Sequence, residues 1–270
     1  MNTSLLQVEG LRLDVPAISR GKPKVAPRTI LNNVGFKLER GGSLGVIGES
    51  GSGKSTLARA LTLLMPPQEG KIIFDGQEVT RLTGPALTAY RSRVQLVFQD
   101  PMSALNPRKR VGVSIARPLE ALGRLNKRTP ESVAAALLER VGLPASYSSR
   151  YPHELSGGQR QRVNIARALA LEPEVLIADE VTSGLDVSAQ ARIVGLLEAL
   201  RKEMGLSLIF ISHDLSLVRS LCDDLLILRS GEVVESAPAD DIFAQPSHDY
   251  TKALIGAIPL PDPDPTWLAR

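Results

Sequence analysis

The chain has 270 residues, 43% of them apolar, which suits one α/β unit with an inserted subdomain and a substantial buried core. A net charge of +3 gives no argument for nucleic acid, and a single cysteine, Cys222, excludes internal disulfides and any cysteine-rich metal site. No uncharged apolar run approaches the roughly 18–20 residues of a membrane span, and Met1–Glu9 lacks the basic start of a signal peptide, so the expected location is the cytosol.

Leu6–Val15 reads as a first strand and Ile30–Leu38 as a second. Between them Ile18–Arg28, with two prolines and four basic residues, breaks every periodicity and predicts an exposed hairpin loop. Arg40-Gly41-Gly42 turns the chain into Ser43–Ile47, a short apolar run that reads as a buried strand. The next nine residues, Gly48-Glu49-Ser50-Gly51-Ser52-Gly53-Lys54-Ser55-Thr56, fit the phosphate-loop pattern G-x-x-x-x-G-K-[ST] at every fixed position. Leu57, Ala60, Leu61 and Leu64 then recur at helical spacing, and Pro66-Pro67 ends the helix. Strand, glycine loop and helix together aim backbone N–H groups and a helix N-terminus at one spot, which suits a polyphosphate. Lys54 would reach the β- and γ-phosphates, and the Ser55 hydroxyl would ligate magnesium.

Gly70–Gly76 reads as a short strand closed by an Asp-Gly turn, Thr83–Arg91 as a helix and Val94–Phe98 as a buried strand. That strand delivers Gln99, which at a strand end can face either solvent or the phosphate crevice, as a magnesium or water ligand. From Pro101 to about Pro152 strand signals vanish and helices are predicted at Val111–Leu122 and Pro130–Val141. This helical stretch closes on Leu155-Ser156-Gly157-Gly158-Gln159 and a periodic helix through Val163, Ala166 and Ala170. Ser156 can be an ordinary N-cap there, or the glycine-rich helix start can be a second anion site.

Val175–Asp179 is an apolar strand ending in Asp179-Glu180. Paired acids are often a polar terminus; with a phosphate loop upstream they suit a magnesium ligand and a carboxylate facing an attacking water. Thr182–Asp186 turns into a helix whose stripe of Ile193, Leu196, Leu197, Leu200 and Met204 reads as core. Ser207–Ile211 is a further buried strand, leading to His213 at the same end of the sheet. Asp224–Arg229 and Glu232–Ser236 form a final hairpin, short helices follow at Asp240–Ala244 and His248–Ile258, and the proline-rich tail Pro259–Pro265 is expected to be extended.

In this order the phosphate loop, Gln99, Leu155–Gln159, Asp179–Glu180 with the turn around Asp186, and His213 resemble the motifs of the ATP-binding-cassette ATPases, over about residues 5–258. The resemblance implies an α/β P-loop NTPase (RecA-like) core with an antiparallel β subdomain and an inserted α-helical subdomain. Residues 1–100 and 159–236 would form the core with its β subdomain, 101–158 the helical subdomain with the signature, and 237–270 a helical extension and proline-rich tail. Two such cassettes sandwich ATP head to tail. Gly48, Ser50, Gly51, Ser52, Gly53, Lys54, Ser55 and Thr56 of one then face Ser156, Gly157, Gly158, Gln159 and Asp186 of the other. Magnesium would be held by Ser55, Gln99 and Asp179. Glu180 would polarise the water, His213 would contact the γ-phosphate, and Gln99 would join them as a catalytic group. Val15 stands where many members carry an aromatic residue that stacks on adenine, and offers only apolar contact. Val181 stands where proline is usual, and Cys222 alone cannot supply the iron–sulfur cluster of some members.

Phe98–Arg108 and Ser247–Leu254 with Ile258-Pro259 are similar to the oligopeptide, dipeptide and nickel importer ATPases. That likeness implies two transmembrane permease subunits, a second ATPase (a heterodimer, or a homodimer), an extracytoplasmic solute-binding protein and no nucleic acid. The chain would sit peripherally on the cytoplasmic face of the inner membrane. Nucleic-acid or ribosome-associated cassettes generally carry two cassettes, a long coiled coil or zinc-binding cysteines, none of which is read here. An exporter ATPase would share the catalytic residues and differ in its membrane partner.

Overall fold

A computed structural model describes residues 4–16 and 27–257, so residues 17–26 of the basic loop and the proline tail lie outside the described residues. In chain order the elements are β1 (Ser4–Val15), β2 (Arg28–Glu39), β3 (Ser43–Ile47), α1 (Lys54–Leu61), β4 (Glu69–Phe74), β5 (Gln77–Glu78), α2 (Gly84–Arg93) and β6 (Val94–Val97). Then come α3 (Pro101–Ala104), α4 (Val111–Ala121), α5 (Pro130–Arg140), α6 (Gly157–Leu169), β7 (Val175–Asp179), α7 (Val187–Met204), β8 (Ser207–Ile211) and α8 (Leu215–Leu221). The chain closes through β9 (Asp224–Arg229), β10 (Glu232–Pro238), α9 (Ala239–Ala244) and α10 (Asp249–Gly256).

Two sheets result. The order β2-β1-β4-β5 makes an antiparallel sheet, and β10-β9-β3-β8-β7-β6 a sheet that is parallel except for its β9–β10 hairpin. The apolar runs of β3, β7 and β8 are buried at every position because both faces of this sheet are covered. Alternate residues point to opposite sides. Leu176, Ala178, Leu208 and Phe210 join the helical region, whereas Val175, Ile177, Ile209 and Ile211 join α1 and the antiparallel sheet. The core of α4, α5 and α6 is continuous with the first of these clusters.

The first helix is shorter than its apolar spacing predicts. Thr62 hydrogen-bonds back to the Ala58 and Arg59 carbonyls, Leu63 takes φ 55°, and Leu64 is exposed. The four-residue α3, which the sequence pattern does not predict, starts at Asp100, whose carboxylate accepts from the Met102 and Ser103 N–H groups. Asn164 of α6 donates to the Pro101 carbonyl at 3.3 Å and Arg167 to that of Ala104, so α6 holds α3 in place. No helix among the described residues is long and apolar enough to cross a membrane.

Candidate active site

The parallel strands β3, β6, β7 and β8 all point their C-terminal ends at the same edge of the sheet, where open α/β sheets bind ligands. At the end of β3 the loop 48–53 wraps tightly. A Cβ on Gly48 would stand 2.1 Å from the Leu228 carbonyl oxygen, so only glycine fits there. Gly53, the N-cap of α1, takes φ 109° and offers no side-chain cap. The first-turn N–H groups of α1 therefore lack a capping acceptor and, with the positive end of the helix dipole, make an anion cradle. The Ser52 hydroxyl is buried without a hydrogen-bond partner, and Ser52 does not line the cavity above the loop.

Lys54 is buried, and its ammonium donates to the carbonyls of Gly48 at 2.6 Å and Glu49 at 2.8 Å. It lies 3.9 Å from a Glu180 carboxylate oxygen. Burial pushes the Lys54 pKa down, against the attraction of Glu180, Asp179 and Glu49. Ser55, one residue on, donates its hydroxyl to Asp179 at 3.0 Å. Asp179 is buried at the end of β7, and that burial pushes its pKa up. Hard oxygen donors converging in this way fit a magnesium ion.

Glu180 follows in the left-handed region at φ 47°, a conformation costing a side-chain-bearing residue about 1–2 kcal/mol. The turn is fixed by its own N–H, which donates to the Ile211 carbonyl of β8 at 3.0 Å. The carboxylate accepts from Gln99 Nε2 at 2.6 Å. The joined Gln99 and Glu180 line a cavity of about 310 Å³ together with Ser50, Gly51 and Gly53–Thr56. Arg28 and Ile30, at the start of β2, complete the lining. Val15 is not part of it; its backbone pairs with Arg28, and its side chain packs partly against the core of the antiparallel sheet. His213 is exposed at the β8–α8 corner and lines neither this cavity nor the next.

Ser156–Gln159 lie instead in a second cavity, of about 440 Å³, with Gly184 and Asp186. Here the caps are local. The Ser156 hydroxyl accepts from the Gln159 N–H at 3.3 Å while Gln159 Oε1 accepts from the Ser156 N–H at 2.9 Å, a reciprocal capping box. Asp186 caps α7 by accepting from the Ala189 N–H at 2.8 Å. Arg162 and Arg192 also line this cavity, adding positive charge that sequence reasoning missed. Their spacing on α6 and α7 carries no local signal; only the packing of the two helices brings them together. Val181 is buried beneath the turn, and Cys222 is buried behind β3 with its thiol pKa pushed up, chiefly by desolvation.

One chain therefore carries a phosphate cradle with two carboxylates, and a separate glycine-rich, cationic helix start. Comparison with known proteins shows the family of the chain. The ABC transporter family matches residues 31–183, and the oligopeptide/dipeptide transporter C-terminal region matches residues 234–270. A probable peptide ABC transporter ATP-binding protein of Sinorhizobium fredii is 47% identical over 265 residues, covering 97% of this chain and 75% of that protein. A putative peptide import ATP-binding protein of Brucella ovis is 44% identical over 262 residues, covering 97% and 81%. Among solved structures, a dimeric ATP-binding cassette in a post-hydrolysis state bound to ADP and Pi superposes with a TM-score of 0.75 at 27% identity, over 87% of this chain and 98% of that one. A part of an ABC transporter complex from Clostridium perfringens gives 0.74 at 28% identity, over 90% and 92%. The chain belongs to the ABC transporter family, as one of its ATP-binding cassettes, and is an ATPase.

Proposed function

We propose that the chain is the ATP-hydrolysing subunit of an importer of peptides or peptide-like solutes, metal chelates included. The observation that carries the catalytic part is the convergence of Lys54, Ser55–Asp179 and Gln99–Glu180 on one cradle. The peptide part is supported by the names of the relatives and by the match to the oligopeptide/dipeptide C-terminal region.

Water attacks the γ-phosphorus of ATP, the bond from that phosphorus to the β–γ bridging oxygen breaks, and ADP and phosphate leave. Glu180, released from Gln99, orients the water and accepts its proton. The loop N–H groups and Lys54 hold the phosphate oxygens, and Lys54 exchanges its two loop carbonyls for them. Ser55 and Asp179 would hold magnesium, with Gln99 as a further ligand, and the ion would supply charge neutralisation at the phosphates. His213, exposed at the β8–α8 corner, would contact the γ-phosphate. Ser156, Gly157, Gly158, Gln159 and Asp186 of a second cassette close the site from above, which gives the second cavity its purpose.

The segments 1–100 with 159–236, 101–158 and 237–270 then divide the work into nucleotide core, signature-bearing helices and C-terminal extension. On the helical side, a cavity of about 590 Å³ lined by Ala104, Asn106, Val113, Pro118 and Arg167 suits a helix from a permease subunit. Two permease subunits, a second cassette and an extracytoplasmic solute-binding protein complete the assembly, with this chain on the cytoplasmic face of the inner membrane. The test is a native-membrane pull-down of Glu180→Gln with ATP and magnesium. Permeases and a second cassette are expected to co-purify; ribosomal proteins or nucleic acid in their place would overturn the transport reading.

A further inference from the structure

The phosphate loop is held from behind by the end of the chain. The Gly231 N–H, in the β9–β10 turn, donates to the Ser52 carbonyl at 2.8 Å, and the Glu49 N–H donates to the Tyr250 hydroxyl oxygen at 3.0 Å. Tyr250 opens α10 and is buried, 8% exposed, with Arg229 at 4.9 Å over its ring. The helix start is itself fixed. Glu235 of β10 accepts from the Ser247 N–H and hydroxyl, both at 2.8 Å, and from the His248 N–H at 3.1 Å, and His248 Nδ1 accepts from the Tyr250 N–H. None of Glu49, Ser52, Gly231 and Tyr250 lines the cavity of about 310 Å³ above the loop.

Glu49 is the residue through which they act. Its carbonyl, on the loop's inner side, accepts from the Lys54 ammonium, while its N–H, on the outer side, is taken by Tyr250. We propose that Tyr250 is a positioning residue for the ATP site: by accepting the Glu49 N–H it fixes the loop's orientation and ties nucleotide affinity to the C-terminal helix. The inference rests on the phosphate loop being the ATP site. Without the hydroxyl the Glu49 N–H is left unpaired at the back of the loop, and the loop turns to satisfy it, spoiling the alignment of Lys54 and of the N–H groups beyond.

The test is Tyr250→Phe in the full chain, which removes one oxygen and keeps the ring under Arg229. The KM and Kd for ATP are expected to rise roughly three- to tenfold, the effect of one lost hydrogen bond, with kcat at saturating ATP within about twofold of wild type because no reacting group is touched. An unchanged ATP affinity, with or without a lower melting temperature, would overturn the proposal by reducing the hydroxyl to packing. In the unmutated chain the Glu49 amide should exchange hydrogen slowly; exchange at the rate of an open loop would overturn it too. Lys54→Ala tests the ATP site on which the proposal rests. If that variant keeps wild-type ATP affinity, the phosphate loop is not the ATP site and the proposal falls with it, a failure distinguishable from that of Tyr250 alone.

Discussion

The two halves proposed for the ATP site are built by different means. The phosphate loop depends on distant chain: Leu228 limits Gly48, Gly231 takes the Ser52 carbonyl, Tyr250 takes the Glu49 N–H, and Asp179 meets Ser55. The signature start is held by its own neighbours, Ser156 and Gln159 capping each other within four residues. A loop that must present a fixed array of donors to a polyphosphate gains from long-range bracing. A helix start that must dock against another molecule needs only to stay folded and open. Damage to the first should therefore abolish binding, and damage to the second should spare binding within one chain.

The largest effect expected from this contrast is that of Gly48→Val, whose side chain meets the Leu228 carbonyl; ATP binding measured by calorimetry should be lost altogether. Next, Lys54→Ala removes a charged donor from the cradle and should weaken ATP binding by about 1.5–3 kcal/mol, or roughly 10- to 100-fold. Ser156→Ala should cost about 1 kcal/mol of stability, through loss of the N-cap, visible as a lower melting temperature, while ATP affinity of the isolated chain stays at the wild-type value. An affinity loss in Ser156→Ala comparable to that of Lys54→Ala would break the comparison.

The smallest effect belongs to a site remote from both halves. Arg40 and Arg93 each bond to Asp75 and Glu174, with Arg40–Asp75 and Arg93–Asp75 at 2.7 Å and Arg40–Glu174 at 2.8 Å. These half-exposed groups staple the turns of the antiparallel sheet to the base of the parallel one. Glu174→Gln should lower stability by roughly 0.5–1 kcal/mol and leave both ATP affinity and turnover unchanged.

Acid should reach the bracing of the phosphate loop through Glu235. Burial alone would raise its pKa, but the hydrogen bonds it accepts, those from Ser247 and His248 among them, hold it at about 2, against 4.5 for the free side chain. Because the folded pKa is depressed, its contribution is fully present above pH 4.5 and is lost as pH falls toward 2. Chemical denaturation followed across that window should show Glu235→Gln losing less stability with acid than wild type.

Much of this was legible in the chain. The unbroken apolar runs of β3, β7 and β8 identify a sheet buried on both faces, and the fixed spacing of Gly48, Gly53, Lys54 and Ser55 names the cradle without coordinates. What escaped has a common cause. Arg28 and Ile30 reach the cavity because β2 crosses the phosphate loop, and Tyr250 reaches Glu49 across 201 positions. Such contacts belong to topology and leave no local pattern. The end of α1 failed for another reason: Leu64 has helical spacing, but the Thr62 hydroxyl competes for carbonyls of the last turn and Leu63 adopts a left-handed backbone. Val15 pairs with Arg28, and of the two it is Arg28 that lines the phosphate-loop cavity.

In the proposed reaction Glu180 acts on water above a cradle that binds ATP without it, a role supported by its place beside Lys54 and Gln99. Glu180→Gln keeps the size of the side chain and removes its charge. The direct measurement is ATP affinity and single-turnover hydrolysis of this variant beside wild type, in the assembled complex with magnesium. ATP affinity within a few fold of wild type, with hydrolysis slowed by about 10²–10⁴, is the predicted result. Hydrolysis at near the wild-type rate would contradict it.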